Sequence, residues 1–468
     1  MAIEKLLSKN EKFDYGIATI HLFVAIIFGL LFIDTGELIK IVLLPYLFFT
    51  LKDLKKEALP GLLILMCYGT ILTVLAAIII IGISFLKINE LKKKKLFPLW
   101  LLLICSFPFY AYNTFTRIFE LDYSLVESLI FNDYYLAFWF LFYGALNKEI
   151  ISKKSISFVL FLTIFLIFLD KVDYDSELGF RSLYRLAGVA EIIILLFLLL
   201  IWRKMITLTD DIYVRLSIVI FILTRIFLGF PEYKFTFIFG LIISLTFILQ
   251  KDFFLQKYNS ITLEKKIKVR SFLFSILPIP FLIITLIVTP LMVQNYAAVD
   301  MTNYYNDGQS LFDKIMAKLF VDRGLLWIGA IQGIIENTVL TPPIEEWFIS
   351  FSNITQTNMD ADFEAHSLII ELTRRNGYIM GFLLSITFLR WQYKLIMSSI
   401  GQGFYINIFR YAIFGVCISV FITGQYVLQL NTSFFFMTMT GALCSLTTEK
   451  LNEIVSTKKN IRKVKNGT

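Results

Sequence analysis

DFEAHSLIIELTRRNGYIMG, residues 362–381, is the stretch in which a long polar segment of this chain passes into an apolar one. Asp360, just before this stretch, and Asp362 at its start supply the cap and the acidic first turn of a helix predicted over 363–375. That helix is expected to end near Asn376-Gly377, because an apolar segment over 377–396 begins there. The apolar segment has the length of a membrane-spanning helix. The fold therefore depends on how many such segments the chain contains.

Apolar residues dominate the remainder of the chain. Of its 468 residues, 57% are hydrophobic and 17% are charged, and phenylalanine alone occurs 48 times. Soluble proteins carry about 25% charged residues, so this composition indicates a polytopic membrane protein. The net charge of +8 comes from lysines between the apolar segments and in the tail. The positive-inside rule explains that pattern better than nucleic-acid binding does.

Thirteen apolar segments are candidates for crossing the bilayer. They are 15–34, 37–51, 58–86, 96–112, 125–147, 156–169, 187–202, 212–230, 235–250, 271–293, 377–396, 404–429 and 432–447.

Loop charges predict the orientation of these segments. Lysine-rich loops and the basic tail place the C-terminus in the cytoplasm, whereas the acidic segment 170–177 and the long segment 294–376 are predicted to lie outside. Lys9 and Lys12 place the N-terminus inside as well, and this requires twelve spans. The short segment 37–51 is therefore predicted to be re-entrant or interfacial, or else the parity is wrong elsewhere among the first three segments.

The predicted fold class is an all-α polytopic membrane protein of about twelve transmembrane helices, with one long, partly helical extracytoplasmic loop before the last three. No internal repeat is visible, and a transporter of two related halves would place its long loop centrally. The predicted domains are an N-terminal transmembrane bundle (1–293), the extracytoplasmic loop (294–376), C-terminal transmembrane helices (377–447) and a basic cytoplasmic tail (448–468).

The long loop carries residues suited to chemistry on an anionic substrate. A helix is predicted over 323–337, and Arg323 and Trp327, four residues apart, share one of its faces. On the helix over 363–375, His366 and Arg374 share a face and Glu371 lies at its edge. Arginine binds phosphate oxygens in two places, and histidine accepts protons near neutral pH. Arg374 is equally suited to anchor the next membrane helix at the interface.

Charged residues inside apolar segments are further candidates. Arg225 lies nearer the outer end of its segment, and an intramembrane arginine is a functional candidate by default. Arg215, near the cytoplasmic end, is predicted to extend its charge to the interface. Arg181 and Arg185 are weaker candidates in the preceding outer segment. His21 is interpreted as structural, and the four cysteines show no metal-binding or redox spacing.

Three motifs in this order resemble the O-antigen ligase and polymerase superfamily. The run from His366 to Gly377 resembles its loop signature, a histidine followed by an apolar helix with a glutamate and by a glycine eleven residues after the histidine. Arg323-Gly-Leu-Leu-Trp327 resembles its upstream Arg-x-x-x-Trp element. Thr224-Arg225 resembles its Ser-Arg membrane motif, and the late position of the long loop matches too.

The chain also departs from the pattern of that family. Ser367 stands where asparagine is usual, and Gly377 and Gly381 are four residues apart where three is usual. Thr341-Pro-Pro replaces a Gly-x-Gly turn after the Arg-Trp helix. These departures affect the acceptor side of the expected site more than its histidine and arginines.

The resemblance implies a metal-independent glycosyltransferase without a cofactor, acting on a polyprenyl-pyrophosphate-linked saccharide at the outer face of a bacterial cytoplasmic membrane. Arg225 and Arg323 would hold the pyrophosphate, helped by Arg181 or Arg185. His366 would deprotonate the acceptor hydroxyl as it attacks the anomeric carbon.

Substrate binding is assigned by the same resemblance to Glu371, Trp327 and Arg374. Glu371 would orient His366 or bind a sugar hydroxyl, and Trp327 would line a saccharide groove. The expected partners are the lipid-linked oligosaccharide, membrane lipid and other assembly proteins such as a flippase or a chain-length regulator, with no nucleic acid.

The favoured activity is that of a polysaccharide polymerase for O-antigen, capsule, exopolysaccharide or teichuronic acid. An O-antigen ligase that transfers the glycan to a lipid core is the alternative, and no motif separates the two. A lipid-linked oligosaccharide flippase is less favoured, because such a transporter would spread its charges over many helices.

Overall fold

The structure is a computed structural model in which every described element is helical. It describes residues 15–31, 42–52, 58–68, 70–94, 96–119, 125, 128–129, 133–147, 151, 153–169, 192–199, 211–228, 241–242, 367–397, 404–423 and 435–445, with no strand among them. The helices are α1 (Tyr15–Leu31), α2 (Leu44–Lys52), α3 (Ala58–Tyr68), α4 (Thr70–Leu86), α5 (Ile88–Lys93), α6 (Phe97–Phe119), α7 (Asp133–Leu146), α8 (Lys153–Leu169), α9 (192–199), α10 (Ile212–Leu228), α11 (Leu368–Met397), α12 (Phe404–Thr423) and α13 (Phe435–Ser445).

Local sequence explains where several helices begin. Pro45, Pro60 and Pro98 lie in the first turns of α2, α3 and α6, where proline is tolerated because the first amides of a helix have no partner within it. Asp211 precedes α10, and its carboxylate accepts the backbone N–H of Tyr213 at 3.1 Å. The same carboxylate accepts the hydroxyl of Ser157 at 2.6 Å, so the cap of α10 also fastens that helix to α8.

Two predicted segments are described only in part. The segment 58–86 contains α3 and α4, which lie on either side of Gly69, and Gly69 itself is outside the described residues. Within the segment 37–51, α2 has nine residues, about 13 Å at 1.5 Å per residue, which is well under the thickness of a bilayer.

Helix α6 buries several polar side chains and exposes apolar ones. Its buried residues include Ser106, Thr114 and Arg117 beside apolar ones such as Leu103, whereas its exposed side chains are mostly apolar. The large exposed ones are Leu101, Phe107, Tyr112, Phe115 and Phe119. Exposed apolar side chains together with buried polar ones suit a lipid environment.

Among the described residues, α6 is the one helix that is both long and apolar enough to cross a membrane, judged by length and composition. Shorter apolar helices of 10–17 residues accompany it. The described ranges thus establish an all-helical protein with a membrane-compatible helix, and the count of twelve spans stays a prediction.

Contacts between helices define their relative directions. Trp100 Nε1 donates to Ser84 Oγ at 3.1 Å, so the end of α4 meets the start of α6. Lys94 Nζ donates to the carbonyl of Leu146 at 2.7 Å, which brings the start of α6 to the end of α7. Ser445 Oγ donates to the carbonyl of Ala145 at 3.0 Å, so α13 and α7 end together. The helix ends that meet here are the ones that stand next to the predicted lysine-rich loops and the basic tail in the sequence.

Helices α7 and α13 cross at two glycines. A Cβ placed on Gly144 would collide with the backbone carbonyl of Thr438, and one placed on Gly441 would collide with that of Leu141. The two helices therefore approach backbone to backbone, as small residues permit in membrane bundles. Leu141 lies against Gly441, and four residues further along both helices Ala145 contacts Ser445. Because the residue numbers increase together, the two helices run parallel.

Candidate functional site

Three of the predicted site residues lie in described helices. Arg225 belongs to α10, which packs against α8. Glu371 and Arg374 both belong to the start of α11, which packs against α6 and α12. The structure thus places Glu371 and Arg374 on one short segment and Arg225 on a different helix. The other predicted site residues lie outside the described residues: His366, Arg323, Trp327, Arg181 and Arg185.

Helix α11 is broken at Gly377. This glycine has φ 75° and ψ 170°, whereas the residues before and after it are helical. Only glycine adopts this region of backbone conformation without strain. The break separates a first segment, 368–376, from a second helix, 378–397. Glu371 and Arg374 lie in the first segment.

The chain folds back on itself at this break. A Cβ on Gly381 would collide with the carbonyl oxygen of Leu372 and with the Cα of Thr373. In an unbroken helix Leu372 and Gly381 would lie about 13 Å apart, at 1.5 Å per residue. The first segment therefore packs against the first turn of the second helix. Within the first segment, Asn376 Nδ2 donates to the carbonyl of Leu372 at 3.1 Å.

The first segment is enclosed by protein. Ser367 and Leu368 are 0% and 2% exposed, and Ile369 and Ile370 are both 0% exposed. Four consecutive positions at the start of a helix point in all directions around its axis. Burial of all four means that protein surrounds the segment instead of leaving one side open to solvent. The end of the predicted extracytoplasmic loop is thus part of the interior.

Two buried polar atoms of this segment have no hydrogen-bond partner in the described part of the chain. They are Ser367 Oγ, at the residue that follows His366 in the sequence, and Asn376 Oδ1, at the break. Buried polar atoms are paired in the great majority of cases, so each of these two calls for a partner. Both lie at the ends of the segment that carries Glu371.

The structure also reveals a buried cation that the motif analysis did not include. Arg410 of α12 is 0% exposed, and its Nη2 donates to the carbonyl of Leu443 in α13 at 2.9 Å. Nearby, Cys444 Sγ lies 3.6 Å from the carbonyl of Trp391 in α11, and Lys394 Nζ lies 4.5 Å from the Trp391 ring centroid. This cluster joins α11, α12 and α13. The intramembrane-arginine rule that selected Arg225 selects Arg410 equally well.

His21 acquires a partner that is distant in the sequence. It is 1% exposed, and its Nδ1 lies 2.5 Å from the hydroxyl of Tyr46 in α2. A Cβ on Gly61 of α3 would lie 2.6 Å from Thr50 Oγ1 and 2.9 Å from the His21 ring. The histidine therefore fills the junction of α1, α2 and α3. This packing suits its interpretation as a structural residue.

A small apolar cavity lies where α8, α12 and α13 meet, lined by residues such as Leu160, Ile413 and Met439. Its volume is about 20 Å³, enough for one water-sized group. A sugar ring does not fit there, so the cavity is unsuited to the predicted substrate.

Comparisons with protein-family models, curated proteins and solved structures found no match to this chain.

Proposed function

We propose that this protein is a polysaccharide polymerase of the cytoplasmic membrane. It transfers a growing glycan from polyprenyl pyrophosphate onto a lipid-linked repeat unit at the outer face. The proposed fold has about twelve transmembrane helices and a long extracytoplasmic loop before the last three. No metal or cofactor takes part in the proposed reaction.

The break at Gly377 is the observation that carries this proposal. It stands eleven residues after His366, at the glycine of the motif that resembles the polymerase and ligase signature. The positive φ of Gly377 gives a physical reason for a glycine at that place. It sets the segment with Glu371 and Arg374 apart from the following helix, as expected if the segment belongs to a site and the helix to the membrane bundle.

The outward faces of the helices support the membrane part of the proposal. Besides α6, helix α10 exposes an apolar stripe that recurs every three or four residues. Its members are Ile212, Leu216, Val219, Ile222 and Ile226. A stripe of this kind on the same helix as Arg225 fits a bundle whose outer faces contact lipid.

In the proposed reaction the acceptor hydroxyl oxygen attacks the anomeric carbon of the donor glycan. The bond from that carbon to the pyrophosphate oxygen breaks, and its electron pair leaves with the lipid pyrophosphate. His366 takes the proton of the attacking hydroxyl. Arg225 and Arg323 stabilise the charge that develops on the departing pyrophosphate. The products are a longer lipid-linked glycan and free polyprenyl pyrophosphate.

The decisive variant is His366→Ala. We expect it to abolish long-chain polysaccharide on gels of the cell-surface fraction, because His366 is the group proposed to take the proton of the acceptor hydroxyl. Its membrane abundance should equal that of the wild type, measured by immunoblot. Wild-type chain lengths in the His366→Ala strain would refute the assignment.

A deletion strain separates the alternatives. Single repeat units on the normal anchor would indicate a polymerase, and full-length chains retained on the carrier lipid would indicate a ligase. Purified protein supplied with lipid-linked repeat units tests the transporter alternative. An enzyme elongates the glycan without an energy source, whereas a flippase forms no product.

A further inference from the structure

A short link, residues 85–97, joins α4 to α6 where these two helices meet, and it contains α5. Backbone bonds hold this α5 link: the N–H of Leu91 donates to the carbonyl of Lys87 at 3.1 Å, and the N–H of Leu96 donates to the carbonyl of Leu91 at 2.9 Å. Leu91 is 0% exposed, so one side of α5 packs on the bundle. The described residues of the α5 link are thus held by the fold.

The outer side of the α5 link is cationic. The link holds five lysines and one glutamate. Lys92 and Lys93 are both exposed. Lys94 is fastened to a carbonyl at the end of α7, and Lys87 Nζ lies 3.9 Å from the carboxylate of Glu90. Among the described lysines of the link, Lys92 and Lys93 are therefore the best placed to bind an external anion.

Exposed apolar side chains lie beside these lysines. Phe85 is 50% exposed and Leu86 is 88% exposed. The rings of Phe85 and Phe97 pack on that of Trp100, with centroids 5.3 and 5.7 Å away. Lys92 Nζ lies 5.4 Å from the centroid of the Phe97 ring. Aromatic rings with lysines beside them are typical of the membrane–water interface, where apolar side chains contact acyl chains and ammonium groups reach the headgroups.

Another cation from a distant part of the sequence shares this end of the bundle. Lys94 joins α5 to the end of α7, and Ser445 joins the end of α13 to the same turn of α7. In α13, Cys444 Sγ lies 3.6 Å from the carbonyl of Trp391, and Lys394 Nζ lies 4.5 Å from the centroid of the Trp391 ring. Lys394 therefore adds to the positive field at the end where the α5 link lies, and such a field attracts anions.

We propose that the α5 link binds the phosphate groups of anionic phospholipids. Lys92 and Lys93 supply two exposed ammonium groups, which form charge-assisted hydrogen bonds with phosphate oxygens. Contact of Phe85 and Leu86 with acyl chains removes their apolar surface from water, and a free phosphate ion offers no such contact. Basic clusters next to a membrane helix bind anionic lipid in this way. This inference rests on the membrane fold of the proposed function and does not depend on glycosyl transfer.

Lipid binding to purified full-length protein in an uncharged detergent tests the assignment. One probe is fluorescent phosphatidylglycerol, which is anionic, and the other is fluorescent phosphatidylcholine, which has no net charge. We expect Lys92→Gln/Lys93→Gln to weaken binding of phosphatidylglycerol about 25-fold, because each lysine near an anionic lipid surface contributes a factor of about five. Binding of phosphatidylcholine should be unchanged. Added salt should weaken the binding of phosphatidylglycerol to the wild type, because it screens exposed charges.

Two further variants separate the charge of the link from the charge of the whole protein. Glu90→Gln removes the one acidic group of the link and should strengthen binding of phosphatidylglycerol about fivefold, the same factor in the opposite direction. Lys154→Gln removes a positive charge from α8, which packs against α3 and α10. It should bind both lipids as the wild type does.

Four results would overturn the inference. The first is wild-type affinity for phosphatidylglycerol in the double variant, and the second is an equal loss for both lipids, which would mean that the lysines serve the fold. The third is an equal loss in Lys154→Gln, which would assign the effect to net charge. The fourth is displacement of the lipid by equimolar glycerol phosphate or by an acidic peptide, which would make the ligand a free phosphate or a protein. If the double variant fails to fold, Glu90→Gln decides: unchanged or weaker binding of phosphatidylglycerol is then the overturning result.

The proposed function fails by a different result. Wild-type protein that binds phosphatidylglycerol through the α5 link but elongates no lipid-linked glycan would refute the polymerase assignment alone. Wild-type protein that elongates glycan while Lys92→Gln/Lys93→Gln keeps full affinity for phosphatidylglycerol would refute the lipid site alone.

Discussion

The crossing of α7 with α13 and the break in α11 both depend on glycine, for different physical reasons. At the crossing, Gly144 and Gly441 lie within helices, and the missing side chain lets two backbones touch. At the break, Gly377 supplies a torsion that other residues avoid, with φ at 75°. Side-chain size decides the first region and backbone torsion the second. The crossing joins two helices, whereas the break places a polar corner in the interior.

The largest effect is expected at the crossing. In Gly144→Ala the new methyl group would collide with the Thr438 carbonyl, which belongs to a helix backbone and cannot move aside alone. We expect a loss of about 3 kcal/mol of unfolding free energy, at the upper end of the range for overpacking. Unfolding in detergent measures it. Wild-type stability in this variant would contradict the close approach of α7 and α13.

A smaller loss of stability is expected at the break. Gly377→Ala puts a Cβ on a backbone with positive φ, which costs about 2 kcal/mol of strain. Polymer length should fall more than stability does, because the corner repositions Glu371 and Asn376. Unfolding in detergent and gels of surface polysaccharide measure the two quantities. If chain length is normal and only stability falls, the break serves the fold and not the site.

The smallest effect has the opposite sign. Gly82 lies in α4, and a Cβ built there meets nothing within 4 Å. Gly82→Ala should raise the unfolding free energy by about 1 kcal/mol, because alanine has the higher helix propensity. This variant is also the control for the two preceding ones, as the same substitution at a position with free space. A destabilised Gly82→Ala would show that substitution of a helix glycine is harmful here regardless of space or torsion.

Sequence patterns predicted the helical class. The predicted segments 212–230 and 404–429 contain the described helices α10 and α12. Such agreement is expected, since an apolar run of helical length has few alternatives. The described residues of the predicted segment 58–86 are likewise helical on both sides of Gly69.

The site was less predictable than the fold. Residue types identified Glu371 and Arg374 as candidates, but not that residues 367–370 at the start of their segment are enclosed by protein. Asn376 was interpreted only as the end of a helix, because its unpaired oxygen depends on which residues surround it. Arg410 follows the same rule that selected Arg225, and its partner Leu443 lies 33 residues away. Side-chain partners at such separations have no local signature in a sequence.

The sequence by itself determined that the chain is helical, that its helices are apolar, and that Gly377 ends one of them, because composition and local propensity act within a few residues. Tertiary structure alone decided which glycines permit contact between helices and which polar atoms remain unpaired. Those properties depend on distances between segments far apart in the chain, such as Leu141 and Gly441 or Ser106 and Met380. A buried acceptor such as Asn376 Oδ1 becomes informative only when everything around it is placed.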